Sequence, residues 1–478
     1  TLRNDPVHNP PGRLLLGGAR LLLPDGWHGA VAWQQDNGLA KREQMGPIIP
    51  LLADGGAYLL GDGQTKTWRV WAGRREPAVR DRQLLENPLT LLPTGLLSKT
   101  GALGSFAPDP ADASNGTPQV VRRLRQTWTS GWNGAWGDVR NTHTTGSPRN
   151  GLFDEALLRW AQTGDAAFLS VALPTGYQHA LRPLLRDLDA DAVPRAFLAE
   201  GLPHHGSRDK LGRDRLDPAL EPLRGPEPEG WLAEWNGWTG YDLEHCTVDR
   251  LWGLLALTGS PWMAREIRAV GESLRTWPFA RDERAPGSVR GCGWALRTLA
   301  HCASLPDGGA YVTAMGRLVG HMDGLERRHG KGWLNDQKGN ARQLADHRFT
   351  VPWQHAVVLY GLSDATEWLP GDDRVERMAG VFADFLVEQC WDEKGGRFYK
   401  SLATDGSGVI LEVPALRGTN CWIPPALVLA DRMLPDRGYL EAARRGWEPV
   451  RAELVDWVKS RKQWHFIQPC LTAFEKAK

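Results

Sequence analysis

The chain has 478 residues, too many for one ordinary hydrophobic core, so it calls for two domains or one large helical assembly. Its 41% hydrophobic and 24% charged residues are the balance of a globular protein and exclude a disordered one. A formal net charge of +1 carries none of the basic footprint of a nucleic-acid binder, and no apolar run reaches the roughly 18 residues of a membrane span.

Residues 1–125 read as a β-rich N-terminal domain. Arg13–Pro24, His28–Gln35 and Thr65–Ala72 are short apolar or alternating runs. Turn clusters such as Pro24-Asp25-Gly26 and Asp54-Gly55-Gly56 separate them. Ala107–Pro118 is small, polar and Pro-rich, and reads as a linker. The chain begins at Thr1 rather than Met, which leaves room for a removed leader.

Residues 126–478 read as an α/α toroid domain, with the period turning helical from about residue 150. Pairs of helices recur, each joined by a tight connector. Leu152–Thr163 is followed by Gly164-Asp165, and a helix near His245–Thr258 by Gly259-Ser260 and Pro261–Trp277. Arg290–Leu305 leads through Pro306-Asp307-Gly308 to Tyr311–Arg328, and Trp353–Leu362 through Ser363-Asp364 to Asp372–Trp391. Cys421–Leu434 leads through Pro435-Asp436 to Tyr439–Lys459, and a last helix lies near Trp464–Glu475. Apolar residues at i, i+3 and i+4, such as Val248, Leu251, Trp252 and Leu255, mark the buried faces. Tight connectors at one end and long loops at the other describe a closed ring of hairpins. The predicted class is mainly α, an (α/α)6-type toroid with an N-terminal β-rich domain. The sixth pair is incomplete.

Cysteine chemistry contributes little. Six cysteines make no disulfide framework. Cys292 and Cys302 fall on one helix about 15 Å apart, too far to pair. No Cys/His spacing suits zinc, so no cofactor is identified. Tryptophan is unusual, with 23 against 7 Tyr and 11 Phe. Its flat face suits the C–H faces of sugars, although helix cores use it too.

The segment Trp235-Asn236-Gly237-Trp238-Thr239-Gly240-Tyr241-Asp242-Leu243-Glu244-His245, followed by Leu251-Trp252 and Leu257-Thr258-Gly259, resembles the six-hairpin (α/α)6 carbohydrate-active superfamily. Within it, the segment is most similar to exo-acting rhamnogalacturonan-lyase-like proteins. Those proteins carry a β domain after the toroid, and no strand pattern follows it here. The resemblance covers residues 140–460 as architecture and about 25 residues as motif. It implies an exo-acting polysaccharide lyase that cleaves an acidic, uronic-acid-containing polysaccharide by β-elimination.

A uronate lyase must neutralise a carboxylate, remove the adjacent proton and protonate the leaving oxygen. Tyr241 and His245 are the expected acid/base groups, with His355 as the reserve base. Arg290, Arg417 and Asn420 would hold the carboxylate, and Trp238, Trp353 and Trp422 would form sugar platforms. Asn141 and His143 belong to the same set of loops. An inverting glycoside hydrolase is the alternative, since Asp242 or Glu244 combined with Asp138 or Asp154 would supply its two carboxylates, and Asp249 is a further acid candidate. A non-catalytic glycan-binding protein is the third reading. Each residue also has a structural reading: Asp242 or Glu244 as a helix cap, His245 as a core histidine, Arg290 as an ion-pair partner. Asp372-Asp373-Arg374-Val375-Glu376 has the DDxxE spacing of helical magnesium enzymes, but at a helix start it reads as a cap. A divalent cation bridging the uronate stays open, with no clear site. A polysaccharide substrate implies a secreted or periplasmic protein, and the cysteine pattern suits a cytoplasmic one as well.

Overall fold

The computed structural model describes residues 2–3, 14–16, 20–33, 41–44, 48–50, 58–60, 65–66, 68–76, 78, 113–130, 152–173, 186–187, 195–196, 198–199, 241–242, 247–276, 289–329, 349–399, 402–403, 421–454 and 466–474. These residues are mainly helical. The strands are short, and the largest sheet has three, with His28–Trp33 central between Lys41–Gln44 and Trp68–Gly73, all antiparallel. Leu14–Leu16 pairs with Tyr58–Leu60, and Arg20–Leu22 with Ile48–Pro50.

Eleven helices carry the rest of the described chain. They are α1 (Ala113–Ser130), α2 (Leu152–Thr163), α3 (Asp249–Thr258), α4 (Pro261–Thr276), α5 (Val289–Ala303), α6 (Gly309–His329), α7 (Pro352–Ala365), α8 (Asp373–Gln389), α9 (Ile423–Met433), α10 (Tyr439–Leu454) and α11 (Gln468–Phe474). Three local expectations change. The stretch read as a linker enters α1, whose interior holds Pro118, so the boundary drawn at 125 falls inside a helix. At the sixth position Pro118 removes one backbone hydrogen bond from the second turn. The helix expected from His245 begins at Asp249. Ser363-Asp364 is no connector, because α7 runs through it to Ala365 and the chain turns at Gly371, with φ 74°.

The helices pack in two series. In the first, α2, α3, α5, α7, α9 and α11 each touch the next. In the second, α4, α6, α8 and α10 do the same, and α3/α4, α5/α6, α7/α8 and α9/α10 join the two. Side-chain pairs set the direction. Arg290 meets Trp353 near the starts of α5 and α7, and Arg297 meets Asp364 toward their ends, so the two helices run parallel. Trp353 meets Trp422, and Trp422 meets Phe466, which brings the starts of α7, α9 and α11 to the same side.

Burial follows from this sandwiching. Of the fourteen residues of α7, twelve are buried. The sequence is accordingly apolar all round, whereas α8 and α10 alternate apolar and charged faces. The closest approach joins α5 and α7. A Cβ on Gly293 would lie 2.3 Å from the Val357 carbonyl oxygen, and one on Gly361 would lie 2.4 Å from the Gly293 oxygen. Only glycine lets these backbones touch.

Candidate functional site

Helix starts normally leave N–H groups in need of partners. On α7 and α9 the first residues avoid that need. α7 opens with Pro352 behind Val351, and α9 runs Ile423-Pro424-Pro425 behind Trp422, with no side-chain cap on either. Pro469 takes the second position of α11. Proline has no N–H to lose, so fewer donors are left without partners where these helix starts lie under aromatic rings.

That is where the rings gather. The Arg290 guanidinium lies 5.1 Å over the Trp353 ring. Trp353 meets Trp422 edge-on at 5.2 Å, and Trp422 stacks on Phe466 at 4.4 Å. Trp294 closes the group at 6.0 Å from Trp422 and 5.9 Å from Phe466. Tyr360, in the middle of α7, donates its hydroxyl toward the carbonyls of Phe466 at 3.1 Å and Trp422 at 3.4 Å. It thereby ties the chain entering α9 and α11 to α7. Burial pushes the Tyr360 phenol well above its ordinary pKa, so it stays a neutral donor.

Of the residues expected from sequence, the fold brings together Arg290, Trp353 and Trp422, from the starts of three separate helices. All three are buried, at 2%, 6% and 2% exposure, with Arg290 over Trp353, Trp353 edge-on to Trp422 and Trp422 stacked on Phe466. The structure therefore places the two tryptophans as a wall behind the helix starts. His355 stands elsewhere. It is fully buried, its ring 4.6 Å from Phe385 and 5.5 Å from Phe382 of α8, and its Nε2 shares a 2.8 Å hydrogen bond with Thr350 Oγ1. Burial pulls its pKa down to about 3. The ring is packed between helix layers, apart from the Arg290, Trp353 and Trp422 group. Tyr241 and Asp242 form a two-residue parallel strand with Leu198–Ala199. The side chains of these two and of Asp154, and the whole of Asn141, His143, Asp138, Trp238, Glu244, His245, Arg417 and Asn420, lie outside the described residues.

No family model, curated protein or solved structure matches the chain.

A second polar cluster sits further along the same helices. Arg297 of α5 donates its Nε to both carboxylate oxygens of Asp249, at 2.9 and 2.8 Å, and its Nη1 to Asp364 at 2.7 Å. His301 Nε2 is 3.0 Å from Asp249, and its ring stacks on Trp252 at 4.9 Å. Burial raises the Asp249 carboxyl, but Arg297 and His301 outweigh it and hold the group well below the usual carboxylate range. A carboxylate so strongly ionised has no proton to donate to a leaving group. Asp364 moves the other way, raised by burial despite Arg297.

The DDxxE motif resolves as a cap. Asp372 precedes α8, accepts from the Arg374 amide at 3.0 Å and pairs with its guanidinium. Among the described residues, no group of three or more His, Cys, Asp or Glu is placed to hold a metal ion, and no helix is long and apolar enough to cross a membrane. Sequence reasoning missed Trp294, Phe466 and Tyr360. Trp294 was within reach, since it lies four residues after Arg290 on the same helix face. Phe466 and Tyr360 had no comparable signal, because their role depends on which helices become neighbours.

Proposed function

We propose that the protein is a carbohydrate-active enzyme, an exo-acting polysaccharide lyase on uronic-acid-containing chains. The observation that carries this reading is the meeting of Arg290, Trp353 and Trp422 at the gathered starts of parallel helices. A planar guanidinium braced on an indole face is a preorganised partner for a carboxylate. The surrounding aromatic, donor-poor wall lowers the local dielectric and strengthens that partnership. Trp353 and Trp422 act mainly by holding Arg290 in place, and direct sugar stacking falls to Trp238. Tyr241 and His245, on the chain entering α3, are the proposed acid/base pair, with Arg417 and Asn420 completing the carboxylate pocket. The two helix series close into an (α/α)6 toroid, with α1 packed on α2. The strands before residue 113 form a β-rich N-terminal unit. A secreted or periplasmic location fits such a substrate.

The test incubates the protein with a panel of uronic-acid polysaccharides. Ultraviolet absorbance of the unsaturated product and reducing ends are followed together. Rising absorbance is the expected result. Arg290→Lys, which keeps the charge but loses the planar fork, should then lower kcat/KM about 100-fold or more. Reducing ends without absorbance transfer the activity to hydrolysis through Asp242 or Glu244. Binding without product, seen by tryptophan quenching, leaves a glycan-binding protein.

A further inference from the structure

The helices of the first series are not joined by the same physics. α5 and α7 meet backbone to backbone at Gly293 and Gly361. α3 packs mainly on its hairpin partner α4 and touches α5 more sparsely. Val248, Leu251 and Leu254 join the common apolar core, and the polar tie of α3 to α5 is the charged cluster: Asp249 to Arg297 and His301, with Trp252 stacked on His301. Arg297 extends the tie to α7 through Asp364. The groups that face Asp249 charge to charge are Arg297 and His301 of α5 and, with like charge, Asp364 of α7, whose carboxyl burial and Asp249 raise while Arg297 and His301 lower it. Tyr360 of α7 also faces Arg297.

We propose that Asp249, Arg297, His301 and Asp364 form a charge latch that holds α3 against α5, and that α3 can be released from α5 while the α5–α7 core stays intact. The chain entering α3 carries Tyr241 to His245, so the latch is a conformational control on that segment whatever chemistry it performs. Charges suit a releasable contact. Their strength depends on fork geometry and on both partners being present, and losing one partner removes the attraction while the other keeps its desolvation cost. Apolar contact between α5 and α7 has no such single point of failure. Elements that move are drawn from the low-stability end of a fold, and α3 has the sparser contact with α5 that such an element needs.

The experiment is hydrogen exchange by mass spectrometry on the full chain, comparing wild type with Asp249→Asn. Peptides spanning 247–258 should exchange about tenfold faster or more in the variant, while those from 289–303 and 352–365 keep their protection. Arg297→Lys, which retains the charge and loses the fork, should give the same pattern more weakly. Unchanged exchange in α3 overturns the latch. Equal loosening of α3, α5 and α7, or failure of both variants to fold, also overturns it, because the cluster would then be part of the common core.

Discussion

Acidification should destabilise the protein through His355. The ring is fully buried between α7 and α8, and burial alone lowers its pKa from 6.5 to about 3. As pH falls, the unfolded chain therefore takes up a proton that the folded chain refuses. Stability from this residue is fully present above the ordinary histidine value and is lost as pH drops below it. Each pH unit in that window is worth about 1.4 kcal/mol, so roughly 2 kcal/mol is lost by about pH 5 and about 5 kcal/mol at the acid end. A loss of that size is a large part of the stability of an ordinary domain. The assay is urea unfolding at a series of pH values for wild type and His355→Leu. The substitution leaves Thr350 without its 2.8 Å partner and costs about 1–3 kcal/mol at every pH. What matters is the slope, which should be shallower in the variant below about pH 6.5. Parallel slopes would refute the reasoning. They would mean that protons reach the ring in the folded chain, as a catalytic base requires, and would return His355 to the candidate site.

Gly293→Ala should lower the melting temperature by several degrees, reflecting about 3 kcal/mol or more, because the added methyl meets the Val357 carbonyl at 2.3 Å. Gly309→Ala at the start of α6 is the control, since nothing lies within 4 Å of its Cβ and melting should hold or rise slightly. Asp372→Ala should cost about 1 kcal/mol in thermal melting, the worth of a lost helix cap. Magnesium should leave the melting of both proteins unchanged, and a magnesium-dependent rise seen only in wild type would revive a metal role for the DDxxE motif.

Much of the helical part was legible locally. Apolar spacing marked α2 at Leu152–Thr163 to the residue, and the other first-series helices to within a few residues at each end. Connectors were readable where a left-handed backbone was needed, at Gly164, Gly259 and Asp307. The exception is instructive. Ser363-Asp364 carries turn-forming residues, yet Arg297 claims the Asp364 carboxylate and α7 continues through it. The DDxxE motif was also local, because a cap bonds within three residues. Trp353, Trp422 and Arg290 were marked as neighbours only on the assumption that helix starts gather at one end.

The sequence by itself determined which segments after residue 150 are helical, where most of them stop, and that prolines stand at the starts of α7, α9 and α11. Those choices rest on interactions within about four residues. Only the tertiary structure decided the rest. It showed that Gly293 and Gly361 touch across two helices, that His355 faces α8 instead of a cleft, and that Arg297 binds acids from α3 and α7. Each depends on contact between residues 48 or more positions apart, or on what surrounds a side chain on all sides. No local pattern encodes which helix becomes the neighbour, because that choice is made by packing the whole set of apolar faces at once.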